Sequence, residues 1–167
     1  FSEADLEIRD VYIRELREMG LEVSIDGVAN IWGKRRGTGK KAGSIVIGSH
    51  LDTVPNGGKY DGALGVLMAK EIVKTIMEHN ISLDHDLEIV SFTAEESNDF
   101  YLSTMGSRAF VGRLTPDELK VACDSQGILL VDALEKAGGG MERFHEIEEL
   151  KKDKRVFIEL HIEQGKR

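Results

Sequence analysis

Two short apolar runs flanking a helical pattern narrow the fold of this chain more than any other feature. Ser44-Ile45-Val46-Ile47-Gly48 and Leu87-Glu88-Ile89-Val90-Ser91-Phe92 have the length and composition of buried strands. Between them, from about Gly62 to His79, the apolar residues Ala63, Val66, Leu67, Val73, Ile76 and Met77 recur three or four apart, as on one face of a helix. Lys70, Lys74 and Glu78 occupy the solvent side at i,i+4 spacing. A last strand is predicted over Val156–Ile162. Strand, helix, strand, helix, strand makes an α/β fold: a layered α-β-α domain around a largely parallel mixed sheet.

The remaining segments fill in this frame. Residues 2–19 are predicted helical, with Ser2 as N-cap, Asp5 in the N3 slot, an apolar stripe of Leu6, Ile8, Ile13 and Leu16, and Gly20 as the stop. Leu21 to Ile25 alternates with period two, Asp26-Gly27 is a hairpin signal, and Val28 to Trp32 returns as a strand. Residues 33–43 are basic and glycine-rich, an exposed loop. A short helix is predicted over 103–112, and Thr115-Pro116 opens another as N-cap and N1 proline. Residues 127–137 form a further helical stretch ended by Gly138-Gly139-Gly140. The nearly all-charged 141–155 reads as a solvated helix face or a linker.

Length and charge limit the function classes. A chain of 167 residues makes one domain, or one with part of another. With Lys+Arg 22 against Asp+Glu 30, the formal charge of -8 argues against nucleic acid and against an anionic membrane surface. No apolar run approaches the ~20 residues that span a bilayer, and no signal peptide opens the chain. The single cysteine, Cys123, can form neither an internal disulfide nor a multi-thiolate zinc site, so a reducing, cytoplasmic setting is expected. Cys123 is expected to pack on a helix, Trp32 in the hairpin, and Met68, Met77 and Met105 in the core. His79, His85 and His145 read as surface residues. The start at Phe1 and the end at Gly165-Lys166-Arg167, just past a strand-like run, suggest a piece of a longer protein.

The polar residues of interest fall where each parallel strand ends, the place where such sheets bind ligands. After the first come His50 and Asp52; an imidazole ligates metal, and a nearby carboxylate can fix its tautomer, although His-x-Asp alone is as consistent with a surface loop. Asp61 follows a turn-rich loop that can bring it back beside His50, where its two oxygens can bridge two ions; the alternative is a helix N-cap. Glu95-Glu96 follows the second strand. Burial of such a pair calls for a cation, with one glutamate ligating and the other handling a proton, whereas in solvent it is an acidic turn. On the last strand Glu159, His161 and Glu163 share one face, with His161 either a ligand or a satisfied core residue and Gln164 just beyond. Taken together, in order, these residues favour a metal site of His and carboxylate ligands suited to Zn, Mn, Co or Ni.

Gly48 to Gly62 (Gly-Ser-His-Leu-Asp-Thr-Val-Pro-Asn-Gly-Gly-Lys-Tyr-Asp-Gly), Thr93-Ala94-Glu95-Glu96-Ser97-Asn98, Gly106-Ser107-Arg108-Ala109 and His161-Ile162-Glu163-Gln164-Gly165 resemble the N-carbamoyl-L-amino acid hydrolase and allantoate amidohydrolase (hydantoinase/carbamoylase) group of the M20 metallopeptidase family. The resemblance runs over nearly the whole chain. It implies a zinc-exopeptidase-like fold, here incomplete. Residues 1–167 would be the N-terminal part of the metal-binding catalytic domain, without the lid and dimerisation domain and without a C-terminal histidine that completes the second metal. It further implies two divalent ions, the first held by His50, Asp61 and His161, the second by the bridging Asp61 and by Glu96. Glu95 would be general base and then acid, Asp52 would orient His50, and Gln164 would contact substrate. The implied reaction is hydrolysis of a C–N bond in an N-carbamoyl or ureido acid, in a homodimeric full-length enzyme. The alternatives are a metallo-aminopeptidase or deacylase of the same fold, and a catalytically incomplete fragment that binds metal without turnover.

Overall fold

The computed structural model describes residues 1–163. Gln164 lies outside the described residues. Eleven elements carry the fold: α1 (Glu3–Glu18), β1 (Glu22–Ile25), β2 (Ile31–Arg35), β3 (Ser44–His50), α2 (Ala63–Glu78), β4 (Asp86–Phe92), α3 (Met105–Phe110), α4 (Pro116–Val121), α5 (Leu130–Lys136), α6 (Glu146–Lys152) and β5 (Lys154–Ile158).

The sheet order is β1-β2-β4-β3-β5. Strands β4, β3 and β5 run parallel, and β2 and β1 extend the sheet antiparallel beyond β4. The sheet is therefore mixed, with β3 at the centre of its parallel part. Along β4 the side chains alternate faces, as period two requires. Leu87 and Ile89 face one layer with Tyr12, Ile13 and Leu16 of α1 and Val66, Ala69 and Val73 of α2. Val90 and Phe92 face the other with Trp32, Val46 and Phe110. Beyond that second layer, α3, α4, α5 and α6 pack their own core around Met105, Leu119, Leu130, Leu134 and Ile147. This is the layered α-β-α arrangement the alternation predicts. Among the described residues, no helix is long and apolar enough to cross a membrane.

Local chemistry sets the boundaries. Ser2 caps α1, accepting from the Asp5 amide at 3.2 Å, and Thr115 with Glu118 forms a capping box under Pro116. Several details differ from the sequence reading. Ile8 is exposed while Arg9 turns inward, because its guanidinium donates to Thr93 Oγ1 and the Ala29 carbonyl. Strand β2 starts at Ile31 and continues through Arg35, so residues 33–35 belong to the sheet: β4 pairs all three and β1 pairs Gly33 and Lys34, which overrides their basic character. Trp32 packs beneath α3 against Phe110, and its Nε1 donates to Asp26 at 3.0 Å. Cys123 is exposed, past the end of α4, in a bridge to Leu129. Met105 is buried but Met68 is exposed. Strand β5 begins at the charged Lys154 and ends at Ile158, four residues earlier than predicted, so 159–163 is not a strand and imposes no alternation on Glu159, His161 and Glu163.

Candidate metal centre

Because β4, β3 and β5 are parallel neighbours, their C-terminal ends lie side by side. His50 is the last residue of β3, and His161 lies just beyond β5. The loop from 51 to 62 returns the chain to the same edge and delivers Asp61. One ligand atom from each of His50, Asp61 and His161 lies within 4.8 Å of the others. His50 Nε2 and His161 Nε2 are 3.2 Å apart, and His161 Nε2 is 3.4 Å from Asp61 Oδ1.

The hydrogen bonds around these atoms fix their character. His50 Nδ1 lies 2.9 Å from the Asp52 carbonyl, and His161 Nδ1 lies 2.9 Å from the Ile162 carbonyl. A carbonyl only accepts, so in each neutral imidazole Nδ1 is the donor and Nε2 carries a lone pair. The two lone pairs point at one another. Asp61 Oδ1, buried, accepts no hydrogen bond. With both imidazoles neutral, three acceptors converge with no donor between them, an arrangement costly in itself and relieved by a cation. The donor set, two imidazoles and a carboxylate, suits a divalent ion of the zinc type. Asp61 does not cap α2: Gly62 holds the N-cap position with no side-chain bond there.

The other sequence-predicted residues lie around this triad. The Asp52 carboxylate stands 3.7 Å from His50 Nδ1, but it accepts the amides of Glu95 (3.2 Å) and Glu96 (2.9 Å). Its carbonyl orients His50, while its side chain ties the β3 loop to the β4 loop. Glu96 is half-buried and does not belong to the triad. The Glu95 carboxylate accepts from the Ser107 amide at 2.8 Å and the Ser107 hydroxyl at 2.7 Å. Burial pushes the Glu95 carboxyl above the usual carboxylate range; the bonds from Ser107 pull it down, and the Asp52 charge adds to the rise.

Sequence reasoning quoted Ser107 within a motif but gave it no task. The one available signal was its place at the start of a short helix just after the Glu95 loop. Asn30 carried no signal at all. Its carboxamide accepts from the Thr93 amide at 2.9 Å and donates to Asp26 (2.9 Å) and the Gly106 carbonyl (3.3 Å), all of it buried.

Known proteins share this arrangement of elements. The chain is 39% identical over 166 residues to an N-carbamoyl-L-amino acid amidohydrolase of Geobacillus stearothermophilus, covering 99% of this chain and 40% of that protein. It is 40% identical over 152 residues to an allantoate amidohydrolase of Bacillus subtilis, 91% of this chain and 36% of that one. A crystal structure of a hydantoinase/carbamoylase family amidase from Burkholderia ambifaria superposes with a TM-score of 0.83 at 36% identity, over 98% of this chain and 39% of the other. The chain thus spans about 40% of the length of the curated relatives it matches. These relatives carry the names the sequence motifs pointed to, and the family model that matches, over residues 30–159, is that of peptidase family M28. Covering β2 to β5 and the loop from 51 to 62, that match places the chain in peptidase family M28.

Proposed function

We propose that this chain carries the metal-binding, proton-handling part of an amidohydrolase that cleaves the C–N bond of N-carbamoyl-L-amino acids or related ureido acids such as allantoate and beta-ureidopropionate. One observation carries the reading: ligand atoms of His50, Asp61 and His161 converge within 4.8 Å of one another at the strand ends that also carry the half-buried Glu95. The names of the relatives supply the substrate class.

Bound by the triad, a divalent ion (Zn, Mn, Co or Ni) would supply a Lewis acid for the carbonyl oxygen and lower the pKa of water. Glu95 takes the proton from the attacking water and hands it to the departing amine, a task favoured by a carboxyl whose pKa is raised toward neutrality. Water and the carbamoyl acid thereby yield the amino acid, ammonia and carbon dioxide. Asp52 holds the Glu95-Glu96 backbone in place throughout. Glu96 would join a second ion, Gln164 would contact the substrate, and the full-length enzyme would be a cytoplasmic homodimer.

The test is ammonia release from a panel of N-carbamoyl-L-amino acids and allantoate, with zinc, manganese, cobalt or nickel added. Glu95→Gln should leave metal content intact and lower kcat by about 10²–10⁴-fold, the usual contribution of a general base. Unchanged turnover in Glu95→Gln would remove Glu95 from the mechanism. Amino acid release from peptides in place of ammonia release would redirect the reading to an aminopeptidase or deacylase.

A second reading rests on Glu96 standing apart from the triad and on the 40% span of the relatives. In it, the 167-residue chain binds one ion and does not turn over. Metal counting separates the two: one tightly held ion without hydrolysis favours the second, two ions with hydrolysis the first.

A further inference from the structure

The Glu95 carboxylate is held from a different direction than its own strand. Both of its oxygens are engaged by one residue, Ser107, through the amide to Oε1 and the hydroxyl to Oε2. The hydroxyl has a single proton, and Glu95 Oε2 at 2.7 Å is closer than the alternative acceptor, the Thr104 carbonyl at 3.3 Å. Ser107 sits on α3, a helix of six residues whose placement cannot come from its own length. Its placement comes from bonds to the β4 exit: the amides of Thr104, Met105 and Gly106 donate to the carbonyls of Glu95, Ala94 and Thr93. Asn30 closes the link, binding the Thr93 amide with its oxygen and the Gly106 carbonyl with its nitrogen. The fit leaves no slack, since a Cβ on Gly106 would stand 2.2 Å from Asn30 Oδ1 and 2.5 Å from the Thr93 amide nitrogen.

We propose that Ser107 is the positioning residue for the Glu95 carboxylate, and that Asn30 sets Ser107 by bracketing the β4 exit to the start of α3. The role in catalysis rests on the general-base reading of Glu95; the role in geometry does not. Ser107 is half-exposed and its hydroxyl bonds nothing in the core, so Ser107→Ala keeps the fold. The amide bond to Oε1 survives, but the carboxylate is free to swing about it.

The experiment pairs kinetics with nuclear magnetic resonance of the 13C-labelled chain. In Ser107→Ala, kcat for the carbamoyl substrate falls about 10–100-fold with KM unchanged, as for a misplaced catalytic group. Ser107→Thr, which keeps the hydroxyl, restores most of kcat. Zinc affinity is the same in all three proteins, because none of the triad touches Ser107. The Glu95 carboxyl carbon resonance moves in Ser107→Ala and returns in Ser107→Thr; Asn30→Ala moves both that resonance and the Ser107 amide. A Glu95 resonance unmoved by Ser107→Ala overturns the proposal, as does a kcat unaffected by it or a Ser107→Thr no better than Ala. Should Asn30→Ala not fold, the Ser107 pair decides. If the unsubstituted chain hydrolyses nothing, the reading in which it turns over by itself has failed, and the resonance alone still upholds or refutes the positioning.

Discussion

His50 occupies its place because residue 62 has no side chain. Gly62 adopts φ 63°, and a Cβ there would lie 2.3 Å from the imidazole Nδ1 and Cε1. Any L-residue meets both a left-handed backbone and a collision with the ligand ring. Gly62→Ala should therefore turn His50 out of the triad and weaken zinc binding by about 10–100-fold, the range seen when the surroundings of a ligand are disturbed. Titration calorimetry with zinc reads this directly, and unchanged affinity would mean that the ring is not held by this contact. At this scale much was legible in the sequence. His50, Asp61 and His161 are residue types that ligate metal, spaced so that a turn-rich loop and a strand end bring them together. The tasks of Ser107 and Asn30 were not legible, since a serine and an asparagine acquire roles only through the partners that a folded backbone supplies.

Among the elements, the parallel strands are held on their rear face by buried charge. Glu88 on β4 accepts from Lys154 of β5 at 2.8 and 2.9 Å and from Ser44 of β3 at 2.5 Å, and Lys34 of β2 stands 3.2 Å away. Burial alone would raise the Glu88 carboxyl; the bonds from Lys154 and Ser44 and the two lysine charges outweigh it and hold the group below the usual carboxylate range. A lowered folded-state pKa contributes stability that is present above the unfolded value, about 4.3, and is lost as pH falls through the folded one. Thermal unfolding between pH 3 and pH 7 should show this loss on the acid side. Glu88→Gln should flatten it and cost about 1–3 kcal/mol at pH 7, because the half-buried Lys154 loses its carboxylate while Lys34 keeps Asp86 at 3.1 Å. A variant with the same acid slope as the parent would contradict this account. The charge cluster also explains which elements were legible. Strands β3 and β4 and helices α1 and α2 declare themselves by apolar period. The start of strand β5 does not, because Lys154 enters the sheet through its bonds to Glu88, and β2 keeps Lys34 through pairing on both sides and Arg35 through pairing with Leu87 of β4. Pairing partners far away in sequence decide such boundaries, and no local window contains them.

For the molecule as a whole, the converging acceptors make folding and metal binding one equilibrium. An ion held by the folded triad and not by the unfolded chain stabilises by about 2.7 kcal/mol at a hundred times its Kd. For a domain of this size that corresponds to a rise in Tm of roughly 5–10 °C. Differential scanning calorimetry with zinc against a chelator checks it, and His161→Ala should abolish the rise while leaving the chelated protein's Tm almost unchanged. A rise that persists in His161→Ala would place the ion elsewhere. The sheet order adds a consequence in time. His50 and His161 are 111 residues apart and meet only when β5 has docked against β3. A chain emerging from the ribosome has finished β3, α2 and β4 long before then and offers an incoming ion two ligands where the finished domain offers three. An ion that needs all three ligands must therefore wait for β5, and an occupied centre would report that β5 has docked against β3.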